Sequence, residues 1–178
     1  MMKKILAMLL AVLMTVGVLA GCGGADVSGK KENDGASVIK VGTSGPLTGD
    51  NAVYGVAVKN GLELAFEEIN ALGDLQFAVK AEDDEADSEK AVNAYNTLMD
   101  WGMQIMAGPT TSGSAAATAQ KCAADKVFML TPSASDPAVI AAGDNVFQIC
   151  FTDLNQGKAS AQYIKDHNCT SISYVMKM

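Results

Sequence analysis

The chain has 178 residues, a length that suits one domain with a substantial core, or one domain and part of another. With 13 basic against 20 acidic residues and a net charge of −7, it lacks the basic face that nucleic acid requires. Its single histidine, His167, lies in the polar segment Lys165-Asp166-His167-Asn168 and reads as a solvated helix end, which weakens any mechanism built on a histidine base.

The first residues read as a leader rather than as part of a fold. Lys3 and Lys4 precede an apolar run over residues 5–18, too short for a comfortable membrane span, and then Leu19-Ala20-Gly21-Cys22. That tetrapeptide resembles the lipobox of bacterial lipoproteins. The resemblance implies cleavage before Cys22 and lipidation of its thiol, so that residues 1–21 form a signal peptide; an uncleaved anchor is the competing reading. Residues 22–37 are polar, rich in Gly and Ser and without periodicity, as in a flexible tether. Cys122, Cys150 and Cys169 remain. Export permits disulfides, but the number is odd and the spacings fit no metal site, so Cys122 and Cys150 read as buried small apolar residues.

Residues 38–42 predict a first strand, followed by a long turn over 43–50 that lacks the lysine of a phosphate-binding loop and the glycine spacing of a dinucleotide site. Val58, Leu62, Ala65, Phe66 and Ile69 recur at helical spacing and predict a helix over 56–70, ended by Gly73. Alternation over 75–81 predicts a second strand. The acidic run at 82–87 lacks calcium-loop spacing and reads as a solvated turn, with Asp87 or Ser88 capping a helix over 89–101 whose inner face is Ala91, Tyr95 and Leu98. A third strand is expected over 103–107, a helix over 115–124, a nearly continuous apolar fourth strand over 127–131, and a fifth over 145–150. A helix over 155–167 with Ala159, Tyr163 and Ile164 inward, and a sixth strand beginning over 171–176, complete the series.

Strands alternating with helices predict an α/β fold: a parallel sheet with right-handed crossovers and helices on both faces. Ligands of such sheets bind outside the carboxyl ends of the strands. Two hydroxyl-rich loops fall there, Gly108-Pro109-Thr110-Thr111-Ser112-Gly113-Ser114 after strand three and Pro132-Ser133-Ala134-Ser135-Asp136-Pro137 after strand four, and the turn before Tyr54 falls there too. The first of these loops leads into a helix, whose unpaired N–H groups and positive dipole end suit an anion; a helix cap with spare hydroxyls is the alternative. No Gly-x-Ser-x-Gly elbow is present, and no histidine is placed to activate Ser112, so an enzyme is not expected.

Taken together and in order, these stretches resemble the periplasmic leucine/isoleucine/valine-binding proteins of ABC transporters. The matching pieces are Ile39-Lys40-Val41-Gly42 with Ser44-Gly45-Pro46-Leu47-Thr48-Gly49, Tyr54-Gly55, residues 61–70, Asp83-Asp84, the 108–114 loop, Thr131-Pro132-Ser133-Ala134-Ser135, and Phe147 through Phe151-Thr152-Asp153 to Gln156-Gly157. Gln148 departs from the pattern, which commonly has Arg there. The resemblance implies a type I periplasmic binding fold of two lobes that close on a ligand by a hinge, with the first lobe over 38–152 and residues 153–178 forming a crossover and the start of the second lobe, so that the chain reads as truncated. It implies that Ser112 holds the α-carboxylate of an amino acid through its hydroxyl and N–H. The Ser133 carbonyl would accept from the ammonium, Ser135 would touch both groups, and Tyr54, beside Thr111 and the serines, would wall the side-chain pocket. Tyr54 as a core aromatic and Ser133 as a plain turn residue are the competing readings. The implied function is an extracytoplasmic, lipid-anchored solute-binding protein, monomeric and without cofactor, handing a branched-chain amino acid to a membrane permease. A sensor of amino acids or amides on the same fold is the alternative.

Overall fold

A computed structural model describes residues 38–73 and 75–173; the expected leader and tether, and Cys22 as the expected lipidation site, lie outside the described residues. Five strands and five helices alternate along the described residues. They are β1 (Val38–Gly45), α1 (Ala52–Leu72), β2 (Gln76–Asp83), α2 (Ser88–Asp100), β3 (Ile105–Ala107), α3 (Ser112–Asp125), β4 (Phe128–Thr131), α4 (Pro137–Ile140), β5 (Val146–Gln148) and α5 (Asp153–Asp166).

The sheet is wholly parallel, in the order β2-β1-β3-β4-β5. The chain moves outward in one direction from β1 to β2 and in the other from β1 to β3. The loops after β1 and β3 therefore diverge and leave a crevice between them at the carboxyl edge, the usual ligand position in an open parallel sheet.

The register sorts the side chains by face. Met106, Met129 and Val146 stand side by side and point to α2, α3 and α4, where they meet Tyr95, Leu98, Ala115, Ala119, Cys122 and Val139 in one buried core. The buried face of α3 is made of small residues, Ser114, Ala115, Thr118, Ala119 and Cys122, so this helix can lie close to the sheet and to α2. The expected inner face of α2 is buried as read, and Asp87 caps it, accepting from the N–H groups of Glu89 and Lys90 at 2.9 Å each.

The opposite face is covered only in part. Helix α1 packs on β1 and β2, with the rings of Phe66 and Phe77 tilted against each other at 4.8 Å, and ends at Gly73, whose φ of 89° is a left-handed cap that favours glycine. Of its predicted stripe, Val58, Leu62 and Phe66 are half-buried while Ala65 and Ile69 remain exposed. Beyond α1, Phe128 and Phe147 stack on each other at 5.3 Å with more than two fifths of each exposed. A cavity of about 270 Å³ runs between α1 and this bare half of the sheet, lined by Val58, Leu62, Leu130 and Ile149 among others.

Several expectations need correction. Helix α1 begins at Ala52 rather than 56, and α3 at Ser112 rather than 115, so Tyr54, Ser112 and Ser114 are helical residues. A short helix, α4, was not foreseen; Asp136 caps it by accepting from Ala138 N at 2.8 Å, with Pro137 at its first position. Helix α5 has no buried residue: Ala159 and Tyr163 are exposed, and Ile164 only half-buried, because no other described element packs on that stripe. Residues 171–173 form no strand, and 174–176 lie outside the described residues. Cys122 is buried, and burial pushes its thiol up to about 12, but Cys150 is only half-buried and bonds its Sγ to the Ala134 carbonyl at 3.3 Å. Gln148 keeps a buried amide oxygen without a partner among the described residues. His167 is exposed at the end of α5, stacked on Tyr163, as its polar setting suggested.

Candidate functional site

The carboxyl edge of the sheet is assembled from the loops after β1, β2, β3 and β4, and hydrogen bonds bind these loops into one surface. Thr110 N donates to Ser44 O at 3.2 Å and Gly108 N to Leu130 O at 2.9 Å. Thr131 Oγ1 donates to Pro109 O at 2.7 Å and accepts from Ala134 N at 3.1 Å, so one buried hydroxyl fixes both hydroxyl-rich loops. Ser133 Oγ donates to Thr110 O at 2.6 Å. The Gly108–Pro109 bond is cis, and Gly108 has a φ of 148°; a side chain there would crowd Thr43 Oγ1 and the Ser44 backbone.

Ser112 occupies the first position of α3. Its Oγ accepts from Asp136 N at 3.4 Å, which leaves the hydroxyl proton available to a ligand. Thr111, the N-cap residue, has extended backbone and places no side-chain bond on the helix, so its hydroxyl does not consume the first-turn N–H groups. These groups and the dipole end point at the same edge as the Ser112 hydroxyl. Across the cradle, the Ser133 carbonyl accepts no bond within the described residues, while Ser135 O accepts from Asp153 N at 3.0 Å and the Ser135 hydroxyl has no partner among the described residues. Ser112, Ser133 and Ser135 are therefore brought together by the ties between the 108–114 and 131–136 loops.

Tyr54 reaches the same edge from α1. Glycines make the approach possible: a side chain at Gly45 would collide with Thr110 Oγ1 and sit 3.3 Å from Gly55 Cα, and one at Gly55 would collide with the Pro46 carbonyl. Tyr54 is 62% exposed, which rules out the reading of it as a core aromatic in the described structure.

The acidic run holds the residues that sequence reasoning missed. Asp83 accepts from Leu47 N at 2.8 Å, Thr48 Oγ1 at 2.6 Å and Glu85 N at 3.0 Å, and so anchors the loop after β1. Burial alone would raise its pKa; the bonds from Thr48, Leu47 and Glu85 outweigh that and hold it below the ordinary 3.8. Asp84 is fully buried rather than solvated, and desolvation wins there, raising its pKa above 3.8 despite bonds from Ala86 N at 2.9 Å and Ser44 Oγ at 3.1 Å. The only hint in the sequence was the Asp83-Asp84 pair at the end of a strand.

No group of three metal-ligating side chains occurs among the described residues, and no described helix is long and apolar enough to cross a membrane. The cradle is chemically neutral: hydroxyls, backbone donors and backbone acceptors. Such a set can hold both ends of a zwitterion without burying an unpaired charge.

Comparison with known proteins supports a family assignment. Residues 38–175 match the periplasmic binding protein family. The Leu/Ile/Val-binding protein BraC3 of Rhizobium johnstonii is 35% identical over 130 residues, covering 71% of this chain and 35% of that protein. The branched-chain amino acid transporter substrate-binding protein LivJ of Streptococcus pneumoniae, solved with isoleucine, is 30% identical, with a TM-score of 0.67 over 73% of this chain and 38% of that one. The leucine-binding protein LivK of Thermotoga maritima is 26% identical, with a TM-score of 0.68 over 74% of this chain and 38% of that one. The chain spans about a third of the length of the curated relatives it matches, 35% in the case of BraC3.

Proposed function

Because the chain belongs to the periplasmic binding protein family, we propose that it provides the first lobe of a non-catalytic solute-binding lipoprotein that captures an amino acid outside the cytoplasm and hands it to an ABC permease. In this reading residues 1–21 are removed, Cys22 carries the lipid, residues 22–37 form the tether, and residues 38–152 form the lobe. Residues 153–178 lead into a second lobe. The protein acts as a monomer without cofactor, anchored at the outer face of the cytoplasmic membrane.

The observation that carries the reading is the cradle at the start of α3. Ser112 keeps a free hydroxyl proton beside first-turn N–H groups that its Thr111 cap leaves uncapped. An α-carboxylate meets these donors at the helix end. The Ser133 carbonyl and the Ser135 hydroxyl, held across the cradle, meet the ammonium. Tyr54 walls the space for the side chain. Relatives named for Leu, Ile and Val support a branched aliphatic ligand.

A thermal-shift screen of the full-length protein against the common amino acids tests this, since a ligand bound only by the folded state raises its apparent stability by mass action. Leucine, isoleucine or valine should give the largest rise. A protein whose melting temperature responds to none of the amino acids does not have this function.

A further inference from the structure

Asp84 does something that neither its family assignment nor the ligand scheme explains. It is a fully buried carboxyl group, and a buried carboxyl is a costly way to fill space unless its bonds are needed. One of those bonds is local and the other leads toward the 108–114 loop. Its Oδ2 accepts from Ser44 Oγ at 3.1 Å, and its Oδ1 from Ala86 N at 2.9 Å. Ser44 in turn receives Thr110 through its backbone carbonyl, from Thr110 N at 3.2 Å and Thr110 Oγ1 at 3.4 Å. Ser114, in the first turn of α3, is fully buried, and its hydroxyl has no hydrogen-bond partner among the described residues.

The carboxyl of Asp84 thus holds the strand end to which Thr110, two residues before Ser112, is tied. The backbone of Asp84 is pinned as well: its N–H donates to Gly45 O at 3.1 Å, and its carbonyl accepts from Asp87 N at 2.7 Å.

We propose that Asp84 is a positioning residue for the ligand cradle, holding the 108–114 loop through Ser44 and Thr110, so that the donors of Ser112 keep their direction before a ligand arrives. This rests on the amino acid reading of the site. Its mechanism is preorganisation: donors that are already aimed lose less freedom when the ligand binds.

Two variants of the full-length protein separate positioning from general support. Asp84→Ala removes the tie; Asp84→Asn keeps the shape, an acceptor for Ala86 N and a polar group for Ser44 Oγ. Amide hydrogen exchange without ligand is followed at residues 110–116 and, as a reference, in α2, and L-leucine affinity is measured by calorimetry. In Asp84→Ala, exchange at 110–116 should rise by about tenfold or more while α2 is unchanged, and leucine should bind about tenfold more weakly. Asp84→Asn should restore both to within about threefold of the parent protein. If Asp84→Ala does not fold, Ser44→Ala, which removes the same tie from its other end, should show the same local exchange. Exchange that is unchanged at 110–116, or that rises equally in α2, overturns the proposal, as does Asp84→Asn behaving like the alanine variant. A parent protein that does not bind leucine refutes the ligand reading instead, and the exchange measurements still decide the role of Asp84.

Discussion

Ser112 illustrates how much one side chain depends on its neighbours. Its oxygen already accepts from Asp136 N, and its proton stays available to a ligand. Replacing it with alanine removes that donor and leaves a ligand carboxylate short of one bond. Ser112→Ala in the full-length protein should weaken amino acid binding by about 1–3 kcal/mol, with little change in folding stability because the residue lies half-exposed at a helix start. Equal affinities by calorimetry would remove Ser112 from the site. Asp83 and Asp84 offer a second test, because their pKa shifts have opposite signs. Asp83, held low, contributes stability that is present above 3.8 and is lost as pH falls through its still lower folded value. Asp84, held high by desolvation, binds its proton more tightly when folded, so its contribution weakens as pH rises from 3.8 through the raised value and then stays constant. Asp84→Asn abolishes only the second effect. Urea unfolding from about pH 3 to about pH 7 should show the stability of this variant gaining on the parent as pH rises. A constant difference across the range would contradict the assignment. The serines stood out in the sequence as hydroxyls in the loops after strands three and four, where a helix cap would use the same residue types. Asp84 did not, because an aspartate within an acidic run carries no sign of whether it faces water or the core.

Among the elements, existence and order were easier to read than ends. Period-two and period-3.6 patterns mark β2, α1 and α2 directly. The start of α3 was misplaced by three residues, because Ser-Gly-Ser has poor intrinsic helix propensity, and what holds these residues in the helix is tertiary: the Asp136 tie to Ser112 and the burial of Ser114 against the sheet. Helix α4 has four residues, too few to produce a periodic signal. The junction of β1 with α1 is held by contact rather than by propensity. Gly55 lies against the Pro46 carbonyl with no room for a methyl group, and Pro46 follows directly on Gly45, itself against Thr110. Gly55→Ala should therefore push the first turn of α1 away from the loop, costing about 1–3 kcal/mol in urea unfolding and displacing Tyr54 from the edge. Gly61→Ala, in open space on the same helix, is the control and should be neutral or slightly stabilising. Equal stability of the two variants would show that α1 is free to shift.

At the scale of the whole molecule, the two faces of the sheet differ in a way that the sequence could not reveal. The predicted pattern of helices on both faces is present, yet one face has α2, α3 and α4 over a closed core, while the other has α1 over only β1 and β2. Leu130, Phe128 and Phe147 are as apolar as their counterparts on the closed side, and nothing in their spacing distinguishes a covered face from a bare one. Ile149 is 70% exposed and Phe151 61%, at the point where the chain leaves β5 for α5, whose own apolar stripe is also unburied. A ligand held between two lobes takes part of its binding energy from each, and loses translational freedom in full whichever lobes are present. With about a third of the length of its curated relatives, a polypeptide of residues 22–178 would offer the Ser112 cradle and Tyr54 from one side only. Expressed alone, it should bind leucine far more weakly than the full-length protein, by about a thousandfold or more if the missing contacts are worth about 4 kcal/mol. Calorimetry on both proteins compares them directly. Submicromolar binding by residues 22–178 would mean that the cradle is sufficient by itself, and that the second lobe serves closure and delivery rather than affinity.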